Sequence, residues 1–130
     1  MEEFFLEASE RHPEIRLREG FISIKGHSIP QDHRTIYQPV LDWVKAYTRN
    51  PSPHTEVFLH LEFSDCDSTK AIMDILKTLA ICQKTNHEIK MIFNWIYLKE
   101  DGSIKELGEF LENKLNITFK YHEEISQFGS

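Results

Sequence analysis

A chain of 130 residues with 40% apolar, 28% charged and 12% aromatic residues has the size and make-up of one globular domain with one core, far from the low-hydrophobicity signature of disorder. Its formal net charge of −6 repels phosphate backbones and anionic membranes, and no aromatic-plus-basic strand of the RNA-binding type offsets that field, so neither is an expected partner. The acidic start MEEFFLEASERH lacks the order of a secretory signal, and no apolar run approaches the roughly 20 residues that span a bilayer, which predicts a cytoplasmic protein.

In chain order, Phe4 to Leu6 is apolar but too short to separate an edge strand from a loop. Ile15–Arg18 and Phe21–Lys25 read as a β-hairpin turning at Glu19-Gly20. Ile36, Val40, Trp43, Val44 and Tyr47 fall at helical spacing, with Asp32 or Thr35 as N-cap candidates and Pro39 forcing either a start near Thr35 or a kink. RNPSPH ends that helix. In EVFLHLEF, Val57, Leu59, Leu61 and Phe63 form one apolar strand face, with Phe58, His60 and Glu62 on the other.

Ser68 to Lys84 reads as an amphipathic helix from the stripe Ile72, Ile75, Leu76, Leu79 and Cys82, with Asp67 as its candidate cap. That helix separates Cys66 from Cys82, so reduced thiols are expected. EIKMIFNWIYL is apolar on both alternations, the pattern of a strand buried on two faces. A turn at Asp101-Gly102 leads into a capping box, Ser103 with Glu106, and a helix carrying Ile104, Leu107, Leu111 and Leu115. NITFKY makes a last strand, with a loose tail from about residue 123. This alternation predicts a single α/β domain, 1–130, with a central mixed, largely parallel sheet, three packed helices and an N-terminal hairpin.

Enzyme signatures are missing: no Walker loop, Rossmann glycine fingerprint, nucleophile elbow or H-E-x-x-H is present, so a non-enzymatic protein without cofactor is expected. The seven histidines, His12, His27, His33, His54, His60, His87 and His122, are dispersed, with no pair at metal-ligand spacing. Trp43, Phe93, Trp95 and Tyr97 could line a small-ligand box, but aromatic residues on a strand more often pack a core. Asp74, Glu106 and Glu109 read as solvated helix charges.

The stretch SDCDST, residues 64–69, is different. It lies where the central strand gives way to a helix, and in open α/β sheets binding sites gather beyond such carboxyl ends. Hydroxyls on the first helical turn are exposed there, and free backbone N–H groups with the positive end of the helix dipole would hold a phosphoryl group. The loop has the physical chemistry of a switch.

Three runs, GHSIPQD…IYQPVLDWVKAY, LEFSDCDSTKAIMDIL and NWIYLKEDGSIKELGE, resemble the SiaC-like regulatory phosphoproteins, bacterial proteins of STAS-like fold related to anti-anti-sigma factors. The likeness runs from about Ile15 to Phe119. Its most specific parts are Gly26-x-Ser28-x-Pro30, Tyr37-x-Pro39-Val40…Trp43, and Asn94-Trp95 followed by Glu106-Leu107-Gly108. The resemblance implies partner switching: a serine/threonine kinase phosphorylates a threonine in an Asn-Thr-Ser-Ser motif and a phosphatase reverses it. The two forms bind different partners, in some systems a diguanylate cyclase effector in biofilm or cyclic-di-GMP control.

Carried over without gaps, that motif falls on Asp65, Cys66, Asp67 and Ser68, so the acceptor threonine is Cys66 here. Three readings stay open. Phosphorylation moves to Ser68 or Thr69; or the switch is lost and the acids Asp65 and Asp67 fix a constitutive, switch-dead interaction module; or Cys66 senses redox state. The expected partner-binding face continues onto the helix at Lys70, Asp74 and Lys77. The alternative to all three is a small-ligand-binding domain built on the strand around Trp95.

Overall fold

The computed structural model describes residues 2–125. Strands β1 (Phe4–Leu6), β2 (Glu14–Arg18) and β3 (Phe21–Ser28) are antiparallel neighbours, so the Phe4–Leu6 stretch is an edge strand. Strands β4 (His54–Ser64), β5 (Lys90–Leu98) and β6 (Phe119–Glu124) then add parallel to β3, giving the sheet order β1-β2-β3-β4-β5-β6. Helices α1 (His33–Tyr47), α2 (Cys66–Thr85) and α3 (Gly102–Leu115) are the crossovers between successive parallel strands. Because every crossover steps the same way across the sheet and right-handed connections are the rule, all three helices cover one face. Consistently, α1 packs on α2 and α2 on α3.

The strand register shows the consequence for side chains. Leu17, Ile22, Val57, Phe93 and Phe119 pair in one row across five strands, all buried, and Ile15, Ile24, Leu59 and Trp95 form the next row. The opposite row, Phe5, Arg16, Ser23, Phe58, Asn94 and Lys120, faces away from the helices. This corrects the expectation that β5 is buried on two faces. Met91, Phe93, Trp95 and Tyr97 are buried on the helix side, whereas on the other side Asn94 is buried, bonded to the Val57 carbonyl and His122, and Ile92 and Ile96 are only half-buried.

Several element boundaries also move. Helix α1 begins at His33, capped by Asp32, and runs through Pro39, whose missing N–H leaves the Thr35 carbonyl without its helical donor. Helix α2 begins at Cys66 with Asp65, not Asp67, as its N-cap. Helix α3 is capped by Asp101, whose carboxylate accepts from the Ile104 N–H and from the Ser103 hydroxyl, so Ser103 is a partner of the cap rather than the cap. Strand β6 continues through His122 to Glu123 and Glu124, the residues where the loose tail was expected to begin. Pairing to Ile96, Tyr97 and Leu98 of β5 holds them. Residues 126–130 of that expected tail lie outside the described residues.

One irregularity prepares the site. Gly26 pairs with Leu61 but His27 pairs with Phe63, so β4 carries an extra residue, Glu62. An extra residue inverts the alternation beyond it. Phe63 therefore leaves the core face and is 52% exposed, against the expectation that it belongs with Val57, Leu59 and Leu61. Gly26, at φ 126°, adopts the backbone conformation that other residues avoid where the two strands come back into register. Phe63→Ser accordingly shifts stability by no more than about 0.5 kcal/mol, whereas Leu61→Ser, at a buried position, costs about 3 kcal/mol. Urea unfolding of the two variants checks the contrast.

Candidate functional site

Beyond the bulge the chain enters Ser64–Thr69, and polar groups from two other elements, β3 and α1, hold it. The Asp65 N–H donates to the Ser28 carbonyl at 3.0 Å, and the Ser68 hydroxyl donates to the same oxygen at 2.9 Å. The hydroxyls of Ser28 and Tyr37 are hydrogen-bonded in the interior, so the end of β3, the first half of α1 and the start of α2 meet at one buried polar knot. Burial pushes the Tyr37 phenol up despite its bonds to Ser28 and Ser68, and the Asp65 charge adds to that. It stays neutral, a hydroxyl that can both donate and accept. Ser28 and Tyr37 both belong to the first of the three runs that carry the family likeness, and supporting this loop is the physical role the structure gives them.

Asp65 does three things at once. Its carboxylate accepts from the Ser68 N–H at 2.8 Å, capping α2. The same group sits 3.0 and 3.1 Å from Nε2 of His33, the first residue of α1. Its carbonyl accepts from the Thr69 N–H and from the Thr69 hydroxyl, both at 2.9 Å. Partial burial would raise the Asp65 pKa, but the backbone and hydroxyl of Ser68, and then His33, outweigh it and hold the carboxyl below its usual 3.8. A depressed carboxyl contributes stability that is present above the unfolded value and lost as pH falls through the folded one. Asp65→Ala should therefore cost about 1 kcal/mol at pH 7, the usual effect of losing an N-cap. The gap to the wild-type chain should close below about pH 4, as protonation weakens the native cap too. Chemical unfolding at pH 7 and at pH 3 measures both.

Against this fixed frame, the structure separates the candidate residues. Cys66 and Asp67 are exposed on the first turn of α2, with the Asp67 carboxylate 3.9 Å from Nδ1 of His33. Ser68 is 0% exposed and its hydroxyl is committed to Ser28. Thr69 is half-buried, its hydroxyl shared between the Asp65 carbonyl and the Ser64 hydroxyl at 2.9 Å. Lys70, Asp74 and Lys77 are all exposed, and their spacing of four and three residues puts them on one side of α2. A groove of about 130 Å3 between α1 and α2 reaches Asp74, with His33, Tyr37 and Leu41 on one wall and Ala71 and Asp74 on the other.

His33 is the residue that sequence reasoning missed. It was only one of seven scattered histidines, and nothing short of the tertiary fold brings it to Asp65. Cys66 and Cys82 lie at opposite ends of α2, 16 positions apart in the chain, or about 24 Å at 1.5 Å per residue, which rules out a bridge between them within one molecule. The small-ligand alternative loses its pocket: Trp95 is fully buried, its indole N–H donates to the Ile104 carbonyl at 3.0 Å, and Phe119 packs on its ring. Trp43, far from that strand, stacks on Tyr47 and donates to the Glu2 carbonyl at 2.8 Å. No group of three or more His, Cys, Asp or Glu among the described residues could hold a metal, and no described helix is long and apolar enough to cross a membrane.

A six-stranded sheet with helices on one face, and a strand-to-helix loop tied to β3 and α1, define a small α/β domain. Comparison with known proteins makes the assignment specific. The model of the SiaC family of regulatory phosphoproteins matches residues 6–124, and the chain belongs to that family. An uncharacterized protein of Pseudomonas aeruginosa (strain UCBPP-PA14) is 26% identical over 100 residues, 77% of this chain and 78% of that protein. Among solved structures, SiaC of Pseudomonas aeruginosa superposes with a TM-score of 0.80 at 23% identity, covering 97% of this chain and 100% of that one. The SiaC chain of a complex between the diguanylate cyclase SiaD and its activator SiaC, from the same organism, gives 0.78 at 22% identity, covering 95% and 99%. These two likenesses concern the fold.

Proposed function

We propose that this protein is a non-enzymatic cytoplasmic regulator, a single domain that binds and controls a diguanylate cyclase, as the solved SiaC is described as the activator of SiaD. The contact surface is the loop Asp65–Thr69 together with the face of α2 around Lys70, Asp74 and Lys77. The observation that carries this reading is the contrast within the loop: the Asp65 N–H and the Ser68 hydroxyl are tied to the Ser28 carbonyl, while Cys66 and Asp67 are exposed. Such preorganisation lowers the ordering cost of binding.

A serine/threonine kinase and a phosphatase set which partner is held, and Thr69 is the acceptor that the geometry favours. Ser68 is closed to a kinase by burial, and Cys66 carries a thiol where the family has its threonine. Phosphorylation of Thr69 would break its bonds to Asp65 and Ser64 and so loosen the first turn of α2. One observation favours a second reading, a constitutive binder: the Thr69 hydroxyl already has two partners, and Asp67 keeps a permanent negative charge on the exposed turn.

Site-resolved mass spectrometry decides between them, on protein taken from its own cells in several growth states, with thiols blocked at lysis. Phosphate on Thr69 supports the switch. A loop unmodified in every state removes the switch and leaves the constitutive binder. Phosphate on Ser68 contradicts the burial argument.

A further inference from the structure

A lone exposed phenylalanine is ordinary on a protein surface. Phe63 is not ordinary in how it gets there: β4 gives up its register with β3 by one residue, and the bulge turns the ring outward immediately before Ser64 and the loop. Bulges that re-aim a side chain are over-represented next to functional sites. Beside the ring, the bulged Glu62 forms one wall of a notch of about 130 Å3, completed by His60, Leu61, Leu98 and Asp101. At roughly 30 Å3 per water, that volume has room for the head of a lysine or arginine.

The notch is apolar at Leu61 and Leu98 and anionic at Glu62 and Asp101. One oxygen of Glu62 lies 3.4 Å from His27, and one oxygen of Asp101 caps α3. The second oxygen of each carboxylate takes no partner among the described residues. Glu100, Glu123 and Glu124 stand exposed along the same edge, against Lys99 in the adjoining turn and against His60 of the notch, whose Nε2 lies 3.1 Å from Glu124. Leu98, which lines the notch from the end of β5, is 36% exposed.

We propose that Phe63 and this acidic notch form the docking anchor for a partner protein that presents an apolar pocket rimmed by lysine or arginine. The ring fills the pocket, and a basic side chain of the rim enters between Glu62 and Asp101. An aromatic anchor in a desolvated pocket supplies affinity, while the charges fix orientation and exclude acidic surfaces. A second copy of this chain would bring a like-charged edge against this one. The proposal rests on the reading of the neighbouring loop as a contact surface and adds to it the place and chemistry of the anchor.

The test is photo-crosslinking in the cells that make the protein, with benzoylphenylalanine placed at position 63, at position 67 in the loop, or at the exposed position 81 on the second half of α2 as a control. The expected result is that positions 63 and 67 capture the same protein and position 81 does not, and that the peptide joined to position 63 contains lysine or arginine. Adding Glu62→Gln to the position-63 strain should lower that yield about fivefold, since a charge at the rim of an interface is lost. Three results would overturn the anchor while leaving the loop reading intact: capture from 67 but not from 63, capture at 63 of a second copy of this chain, or a joined peptide without basic residues. Silence at both positions would remove the loop as a contact surface and the anchor with it.

Discussion

Ser68→Glu should unfold the start of α2 and lower the Tm by on the order of 10 °C or more. Ser68 is fully buried and its hydroxyl donates to the carbonyl of Ser28. A carboxylate there has no cation among its present partners and turns a donor into an acceptor facing another acceptor. Leaving a charge uncompensated in the interior costs about 3–5 kcal/mol. By contrast, Ser68→Ala deletes one hydrogen bond and should cost only about 1 kcal/mol. Calorimetric melting of both variants measures the difference. If Ser68→Glu melts near the wild-type temperature, the hydroxyl is accessible and Ser68 returns as a phosphate acceptor. Because an acidic mimic at this position damages the fold, its effect on binding says nothing about phosphorylation.

Gly108→Ala should destabilise by about 2 kcal/mol, although alanine is the better helix former by about 1 kcal/mol. A Cβ at position 108 would lie 2.7 Å from two atoms of the Trp95 indole, which is fully buried and tied to the Ile104 carbonyl. The ring cannot retreat into a packed core, so α3 must lift from β5. Trp95→Phe alone should cost about 2 kcal/mol through lost contacts and the lost indole bond. It also opens the space that a methyl group at 108 needs. The double variant should then be more stable than the sum of the single effects implies, by about 1 kcal/mol. Denaturant unfolding of the four proteins in that cycle tests it, and strict additivity would show that the two sites are not in contact.

These two sites also show how far the sequence could be read. The period of apolar residues carried the element order because each helix buries one stripe and each strand one alternation, and that pattern survives without tertiary knowledge. It failed at Phe63, where apolar character and alternation both point to the core. A one-residue bulge is invisible in a pattern whose period is two, and only pairing with β3 exposes it. The caps failed in a similar way. Asp65 and Asp67 are both good N-cap residues, and which of them caps α2 is decided by His33 and Ser28 reaching Asp65 from distant parts of the chain.

The loop itself was legible as a place, since a strand giving way to a helix through SDCDST marks a sheet's carboxyl edge. Which of its hydroxyls is free was not legible. Ser68 stands four residues before Ile72 and seven before Ile75, so helical spacing already sets it on the buried stripe. That its hydroxyl is tied to the Ser28 carbonyl, and that of Thr69 to Asp65 and Ser64, appears only in the tertiary fold. Likewise, Ser28, Tyr37, Trp95 and Gly108 stand out within the family-like runs, but their roles as two loop supports and one close helix-to-strand contact appear only when β3, α1, α2, β5 and α3 are brought together.

The measurement that tests the account most directly is an isothermal titration of the purified full-length protein into the purified diguanylate cyclases of its source organism, repeated with Asp67→Arg. Asp67 is exposed and does not cap α2, so this variant should lose only about 1 kcal/mol, from the 3.9 Å contact with His33 and the helix dipole, and stay folded at 25 °C. The account predicts binding by one of the cyclases and a loss of affinity of about tenfold or more on reversing this charge in the contact surface. Binding that survives Asp67→Arg undiminished, or no cyclase bound by the wild-type protein, would contradict it.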